Sequence, residues 1–306
     1  MSSTPAFHDP RLLGKTDMKV CPLGFGGAEI GFEKADLPTV RSIVDEALSG
    51  GLNLIDTAAM YLESEALLGE ALAGRRAEVF LVTKCGHAGR AEDPAAWSLD
   101  ALRADVERSL KALRTDYVDV LLLHSCSRAI LEAGEAVNAL QRFRDAGKCR
   151  YVGYSGDADR AACALDLRFM DVLQCSVNIA DQQSIDLLLG RAVESGVGVI
   201  AKRPIANAAW KTGSLPANPY HHTYFHRLQQ LDYPFLKQEL ASAVSTAMRF
   251  TLSQPAVATA IVGTRQPGRW TENLSMLQQG PLPETEIAAI RSRWAEVAQA
   301  DWVGQI

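Results

Sequence analysis

The chain has 306 residues, 47% apolar and 22% charged, with 23 glycines and 13 prolines, a composition that excludes disordered and collagen-like chains and supplies ample core material. Lys and Arg number 31 against 36 Asp and Glu, a formal net charge of −5, and no basic run is present to neutralise a row of phosphates, so nucleic acid is not an expected partner. No stretch approaches the ~18 consecutive apolar residues of a membrane span, and the opening MSSTPAFHDPRLLG lacks the profile of a signal peptide, so a cytoplasmic protein without membrane contact is expected.

In chain order, residues 1–10 are expected to be loosely ordered, and 11–20 form a hairpin outside the main repeat. Eight apolar, often β-branched runs follow, at 21–27, 51–58, 78–86, 117–125, 149–156, 170–178, 196–204 and 257–265. Such continuous runs are how buried parallel strands read when helices cover their outer face. Helices are predicted between them at 38–50, 63–73, 98–113, 130–146, 158–166, 182–195, 240–253 and 267–278. Ser98, Asp157 and Asp181 stand where N-caps are wanted, and Gly51, Gly147 and Gly196 where helices stop. The segment 204–239, rich in Pro, aromatic residues and His, interrupts the seventh unit; loops of that length serve function or an oligomer contact. An amphipathic helix at 284–299 follows the last unit.

Eight units imply a closed (β/α)8 TIM barrel, a single α/β domain over 1–306 with an N-terminal hairpin and an extra C-terminal helix. A doubly wound open sheet also alternates strand and helix, so the chemistry has to decide. In a barrel the carboxyl ends of all strands open onto one face. Asp56, Lys84 and His124 close three successive strands, and Tyr61 follows Asp56 by five residues. A buried carboxylate and a buried ammonium each cost several kcal/mol unless paired, which makes Asp56 and Lys84 partners. A Lys beside a Tyr hydroxyl is expected to lower its pKa from about 10 toward neutrality and make Tyr61 a general acid.

With these features the sequence resembles the aldo-keto reductase family. The resemblance rests on Asp56-Thr57-Ala58-Ala59-Met60-Tyr61, Ser64-Glu65, Leu68-Gly69, Val82-Thr83-Lys84, Asp119 to His124, and Gly147 to Ser155. It implies that Tyr61 donates a proton, Lys84 and Asp56 tune it, and His124 orients a carbonyl. It also implies NADP(H) lying across the barrel mouth without a Rossmann fingerprint. Gly24, Gly26 and Gly27 miss the GxGxxG spacing and are expected to have no helix directly after them.

By resemblance, Ser155 and Gln174 hold the nicotinamide carboxamide. Gly156 stands where the family has Asn, with Asp157 as the nearest replacement; Asn178 reads equally as a loop cap. Gly263, Thr264 and Arg269 would hold the adenosine 2′-phosphate, because a guanidinium fork pairs with phosphate oxygens, and Glu272 and Asn273 the adenine edge. Lys202 stands where many members stack a Tyr on the nicotinamide, so Lys202 or Arg203 is expected to reach phosphate or a substrate anion. Met60, Trp97, Ser125, Cys126 and Trp210 follow strand ends and are candidate substrate walls.

The six cysteines, Cys21, Cys85, Cys126, Cys149, Cys163 and Cys175, show no CxxC spacing and read as reduced core thiols. His221, His222 and His226 include an i, i+4 pair but no third ligand at metal spacing, so no metal is expected. The expected activity is hydride transfer from NADPH to an aldehyde or ketone, or the reverse from an alcohol or sugar. The alternative is a nicotinamide-binding regulatory or partner protein with little turnover, using the aromatic residues of 204–239 as an interface.

Overall fold

The computed structural model describes residues 6–305. The hairpin is present: β1 (Arg11–Leu12) pairs antiparallel with β2 (Lys19–Val20). Of the segment expected to be loose, 1–5 lie outside the described residues, and 6–10 form a turn tied to Arg11, whose guanidinium donates to the Phe7 carbonyl.

Eight parallel strands then close on themselves: β3 (Leu23–Gly26), β4 (Leu54–Asp56), β5 (Phe80–Cys85), β6 (Val118–His124), β7 (Cys149–Ser155), β8 (Val172–Ser176), β9 (Gly198–Lys202) and β10 (Val257–Gly263). Each pairs with the next in chain order and β10 returns to β3, so the sheet has no edge and the doubly wound alternative falls. Side chains alternate along a strand, so each strand sends every second residue inward. Leu54, Val82, Val120, Leu122, Val172, Ile200 and Ala258 fill the lower interior. Leu13, Met18 and Val20 of the hairpin plug the floor beneath them. The alternate set, including Ile55, Leu81, Leu121, Leu123 and Leu173, packs outward against the helices.

The helices are α1 (Ala28–Phe32), α2 (Leu37–Ser49), α3 (Ser64–Ala71), α4 (Leu99–Leu113), α5 (Arg128–Ala133), α6 (Glu135–Asp145), α7 (Ala158–Asp166), α8 (Gly190–Glu194), α9 (His222–Leu231), α10 (Leu240–Leu252), α11 (Arg269–Leu277) and α12 (Glu284–Val297). Four differ from expectation. The helix read at 130–146 is two, broken at Gly134, which takes a φ of 80°. The helix read at 182–195 starts as a wide π turn over Ile185–Leu189 before α8. A short helix, α1, does follow Gly27 directly, and 204–239 contains α9. The helix stops hold, since Gly51, Gly147 and Gly196 all have positive φ. Ser98 caps α4 through its hydroxyl, but Asp157 and Asp181 send their carboxylates to other partners, as described below.

All six cysteines are free and buried. No described helix is long and apolar enough to cross a membrane.

Candidate active site

The inward-facing columns turn from apolar to polar as they reach the carboxyl ends of the strands. Leu54 is followed two residues on by Asp56, Val82 by Lys84, Leu122 by His124, Gly153 by Ser155, Val172 by Gln174 and then Ser176, and Ile200 by Lys202. The two-residue period puts all of these side chains on the inner face of the mouth. The register sets their heights: His124 lies opposite Ser155, Ser155 opposite Gln174 and Gln174 opposite Ile200, while Ser176 and Lys202 form the layer above. On the β3 side the inner positions are Gly24 and Gly26. A Cβ on Gly24, level with Leu54 below the mouth, would meet Leu54 Cδ2 at 2.8 Å and Ile261 Cγ2 at 3.2 Å, so packing requires glycine there, while Gly26, level with Asp56, adds no side chain to the mouth.

Lys84 and Asp56 are both buried and fully partnered. The Lys84 ammonium donates to Asp56 Oδ1 at 2.9 Å, Asp56 Oδ2 at 2.8 Å and the Thr57 carbonyl at 2.8 Å, which uses all three of its N–H bonds. Tyr61, partly buried on the loop leaving β4, has its ring centroid 4.9 Å from Lys84 Nζ and meets the His124 ring edge-on at 5.8 Å. The four residues named from the sequence therefore converge on one spot. Gln174 extends the cluster, donating from Nε2 to Asp56 Oδ1 at 2.7 Å and accepting from the Ser155 hydroxyl at 2.9 Å.

One electrostatic expectation is reversed. Burial, the largest influence, raises the Tyr61 pKa above its ordinary value; Lys84 opposes this but does not overcome it, and Asp56 adds to it. Tyr61 is therefore a phenol throughout the neutral range. Burial also works against the charge on Lys84, yet Asp56 and Tyr61 outweigh it and its pKa stands above the usual lysine value. Burial first, then Lys84 and Lys202, push His124 well below the ordinary histidine range, so it is a neutral imidazole with a buried, unpartnered Nδ1. The arrangement presents a proton donor, a neutral hydrogen-bonding ring and a fixed cation around one small space.

A second polar layer, of which the sequence reading names Asp157, Lys202 and Arg203 but not Ser176, lies above Ser155 and Gln174. Asp157, two residues beyond Ser155, accepts from the Ser176 backbone N–H at 2.5 Å and approaches Lys202 Nζ at 2.8 Å and Arg203 at 3.8 Å. It neither caps α7 nor is free to replace the absent Asn. Arg203 spends three of its five N–H bonds inside the protein: it donates to Ser176 Oγ at 2.7 Å, the Gln305 carbonyl at 2.8 Å and the Tyr220 hydroxyl at 2.5 Å. The chain's last described residues pack against this layer. Gly304 lies so close that a Cβ there would stand 2.3 Å from that of Asp157, and Arg227 donates to the Val303 carbonyl. The signal that would have found Ser176 is the same inward alternation carried one step further.

Asp181 belongs to this buried region, accepting from the Tyr224 hydroxyl at 3.0 Å, with Oδ1 unpartnered. Burial, then the Asp157 charge, push its carboxyl up to about 7. A carboxyl raised above its unfolded value of 3.8 stays protonated in the fold while the unfolded chain ionises, so stability is lost as pH climbs from about 4 through 7. Asp181→Asn keeps an acceptor for Tyr224 without the charge. Its melting temperature is expected to exceed that of the wild type by several degrees at pH 8, with the gap narrowing toward pH 4; a gap independent of pH would refute the assignment.

The remaining candidates divide. Thr264 is buried and its hydroxyl accepts from Gln266 N; Gly263 lies partly buried at the end of β10. Arg269 is exposed at the start of α11, paired with Glu272 at 2.5 Å and Gln266 at 3.0 Å. Asn273 is buried with an unpartnered Nδ2. Asn178 is a loop cap, accepting from Ala180 N. Among the substrate candidates, Met60 lines a cavity of ≈ 210 Å³ between the loops leaving β4 and β5, together with Gly86, His87 and Asp105. Trp97 is not a wall: it is wholly buried beneath Gly86 and donates to the Arg90 carbonyl. Cys126 is likewise buried, its carbonyl accepting from the Tyr154 hydroxyl, and Ser125 donates to the Ser155 carbonyl. Trp210 packs, half-buried, on the apolar cluster around α9 and α12. His222 turns to the Pro216 carbonyl, and among the described residues no group of three His, Cys, Asp or Glu is placed to hold a metal.

Known proteins resemble this chain over nearly its whole length. Residues 22–295 match the Aldo/keto reductase family, and the chain belongs to it. It is 28% identical over 302 residues to the uncharacterized oxidoreductase YqkF of Bacillus subtilis, covering 92% of this chain and 95% of that one. To the L-galactose dehydrogenase of Arabidopsis thaliana it is 27% identical over 284 residues, 88% of each. The holo form of the aldo-keto reductase AKR11C1 from Bacillus halodurans superposes with a TM-score of 0.79 at 26% identity, over 94% of this chain and 96% of that one. The protein is thus an oxidoreductase of a family that uses nicotinamide cofactors.

Proposed function

We propose that this protein is an NADP(H)-dependent carbonyl reductase with Tyr61 as its general acid, acting in the cytoplasm on a small aldehyde or ketone and, in reverse, on the alcohol. A single barrel domain over 1–306 carries the activity. The observation that supports this most is the convergence of a phenol, a locked ammonium–carboxylate pair and a neutral imidazole on one mouth.

The residues present fit a nicotinamide dinucleotide. Gly26 adds no side chain to the mouth, Gln174 retains one amide N–H after its bond to Asp56, and the buried Asn273 Nδ2 lacks a partner. Ser155 and Gln174 would hold the carboxamide, Gly263, Thr264 and Arg269 the 2′-phosphate, and Glu272 and Asn273 the adenine, with Lys202 and Arg203 on the side of phosphate or a substrate anion. When bound, the cofactor supplies the hydride. Tyr61 gives its proton to the carbonyl oxygen as that oxygen becomes an alkoxide, and the product is the alcohol. His124, uncharged, donates a ring N–H to the same oxygen and fixes its direction. Lys84 stabilises the phenolate left on Tyr61, and Asp56 with Gln174 holds Lys84 and the layer beside it in place.

Loss of NADPH absorbance with activated aromatic aldehydes tests the reading. Tight cofactor binding with no turnover across a broad carbonyl panel would replace it with the partner-protein alternative. Cofactor preference has its own test in Arg269→Ala. A hydrogen bond to a charged group is worth about 1.5–3 kcal/mol, and exposure of Arg269 puts it at the low end, so NADPH affinity should fall by about tenfold while NADH is nearly unchanged. Equal losses for both cofactors would make Arg269 a structural residue of α11.

A further inference from the structure

Two lysines face the barrel mouth from inward positions, and their surroundings differ. Lys84 spends all three N–H bonds on Asp56 and Thr57. Lys202, also buried, has a single anionic partner, Asp157 Oδ2 at 2.8 Å. That carboxylate is shared with Arg203 at 3.8 Å and already accepts from Ser176. Two buried cations therefore stand against one carboxylate. Farther out, Arg227 faces Asp181 and Asp301 and is matched by them, so the unmatched cation is the one beside Asp157.

Arg203 has its Nε and both Nη1 N–H bonds taken by Tyr220, Ser176 and the Gln305 carbonyl, which leaves only Nη2. Lys202 is less committed, with Asp157 alone. It stands one layer above Gln174, opposite Ser176, on the inner face. The strand register puts it two strands beyond Ser155, the neighbour of His124, on the same inner face of the mouth. A neutral ligand would leave the excess cation uncompensated, whereas an anionic one completes it.

Resting on the reading of the protein as a carbonyl reductase, we propose that Lys202 is a binding residue for an anionic group on the substrate. The preferred carbonyl compounds are then aldehydes or ketones that also carry a carboxylate or phosphate. The same chemistry could be supplied by the diphosphate of the cofactor, and the test separates the two sources.

The probes are para-carboxybenzaldehyde and its methyl ester, with NADPH affinity measured separately by protein fluorescence. The wild type is expected to favour the acid over the ester in kcat/KM by about tenfold or more. Lys202→Met, which keeps the apolar stem, should lower kcat/KM on the acid relative to the ester by about ten- to a hundred-fold and leave the NADPH Kd unchanged. Lys202→Arg should retain the preference for the acid. Three results would overturn the proposal: equal losses on acid and ester, a wild type indifferent to the carboxylate, or a weakened NADPH Kd with the acid preference intact, which would hand Lys202 to the cofactor. Should Lys202→Met not fold, the wild-type ratio decides alone. Turnover of the ester without preference for the acid sinks only this proposal; turnover of neither compound sinks the carbonyl-reductase reading with it.

Discussion

Tyr61→Phe is expected to reduce kcat for carbonyl reduction by about 10²–10⁴-fold, the span of a positioned general acid, while NADPH and substrate affinities stay within a few-fold. The ring remains to pack against Phe32 and His124, so a folding defect is not the cause of the loss. The pH profile of the wild type carries the sign. Because burial outweighs Lys84 and holds the phenol above its usual pKa, reduction should be flat through the neutral range and fall only at strongly alkaline pH. Alcohol oxidation needs the phenolate and should rise with pH over the same range. An inflection in reduction near neutrality that disappears in Tyr61→Phe would show that the pKa lies lower than this environment dictates.

The second large effect is on the buried pair. Removing one partner of a buried ion pair costs about 3–5 kcal/mol, because the other charge stays behind. Lys84→Met should therefore destabilise the barrel by that order in chemical denaturation and also abolish turnover. Gln174 still donates to Asp56, which favours the lower end. The double variant Asp56→Asn with Lys84→Met removes the stranded charge and should regain most of the stability while remaining inactive. If the single and double variants are equally destabilised, the cost is one of packing rather than of charge.

The fold was legible because its signal is repeated eight times. Continuous apolar runs marked the strands, and residues such as Asp56, Lys84 and His124 stood out because polar side chains closing apolar strands need partners. The failures occurred where a residue's role depends on something distant in sequence. Asp157 looks like a helix cap locally, but Ser176, Lys202 and Gly304 surround it, and none of them is visible in a window around α7. Arg203 looks like a free guanidinium until Tyr220 and Gln305 engage it. The Tyr61 pKa is not legible in the sequence, because adjacency to Lys84 follows from strand order, whereas the desolvation that outweighs it comes from the whole mouth.

The six buried thiols bear on the chemistry in a way that concerns self-protection. Aldehydes and their conjugated relatives are electrophiles, and the species they attack on cysteine is the thiolate. Burial pushes every one of the six away from that form, with Cys126 and Cys149 raised to about 12. At neutral pH the thiolate fraction at these two sites is of the order of one part in 10⁵, from the pKa alone. Cysteine alkylation is therefore expected to be slow when the protein meets a reactive aldehyde, and intact-mass measurement after such exposure checks it.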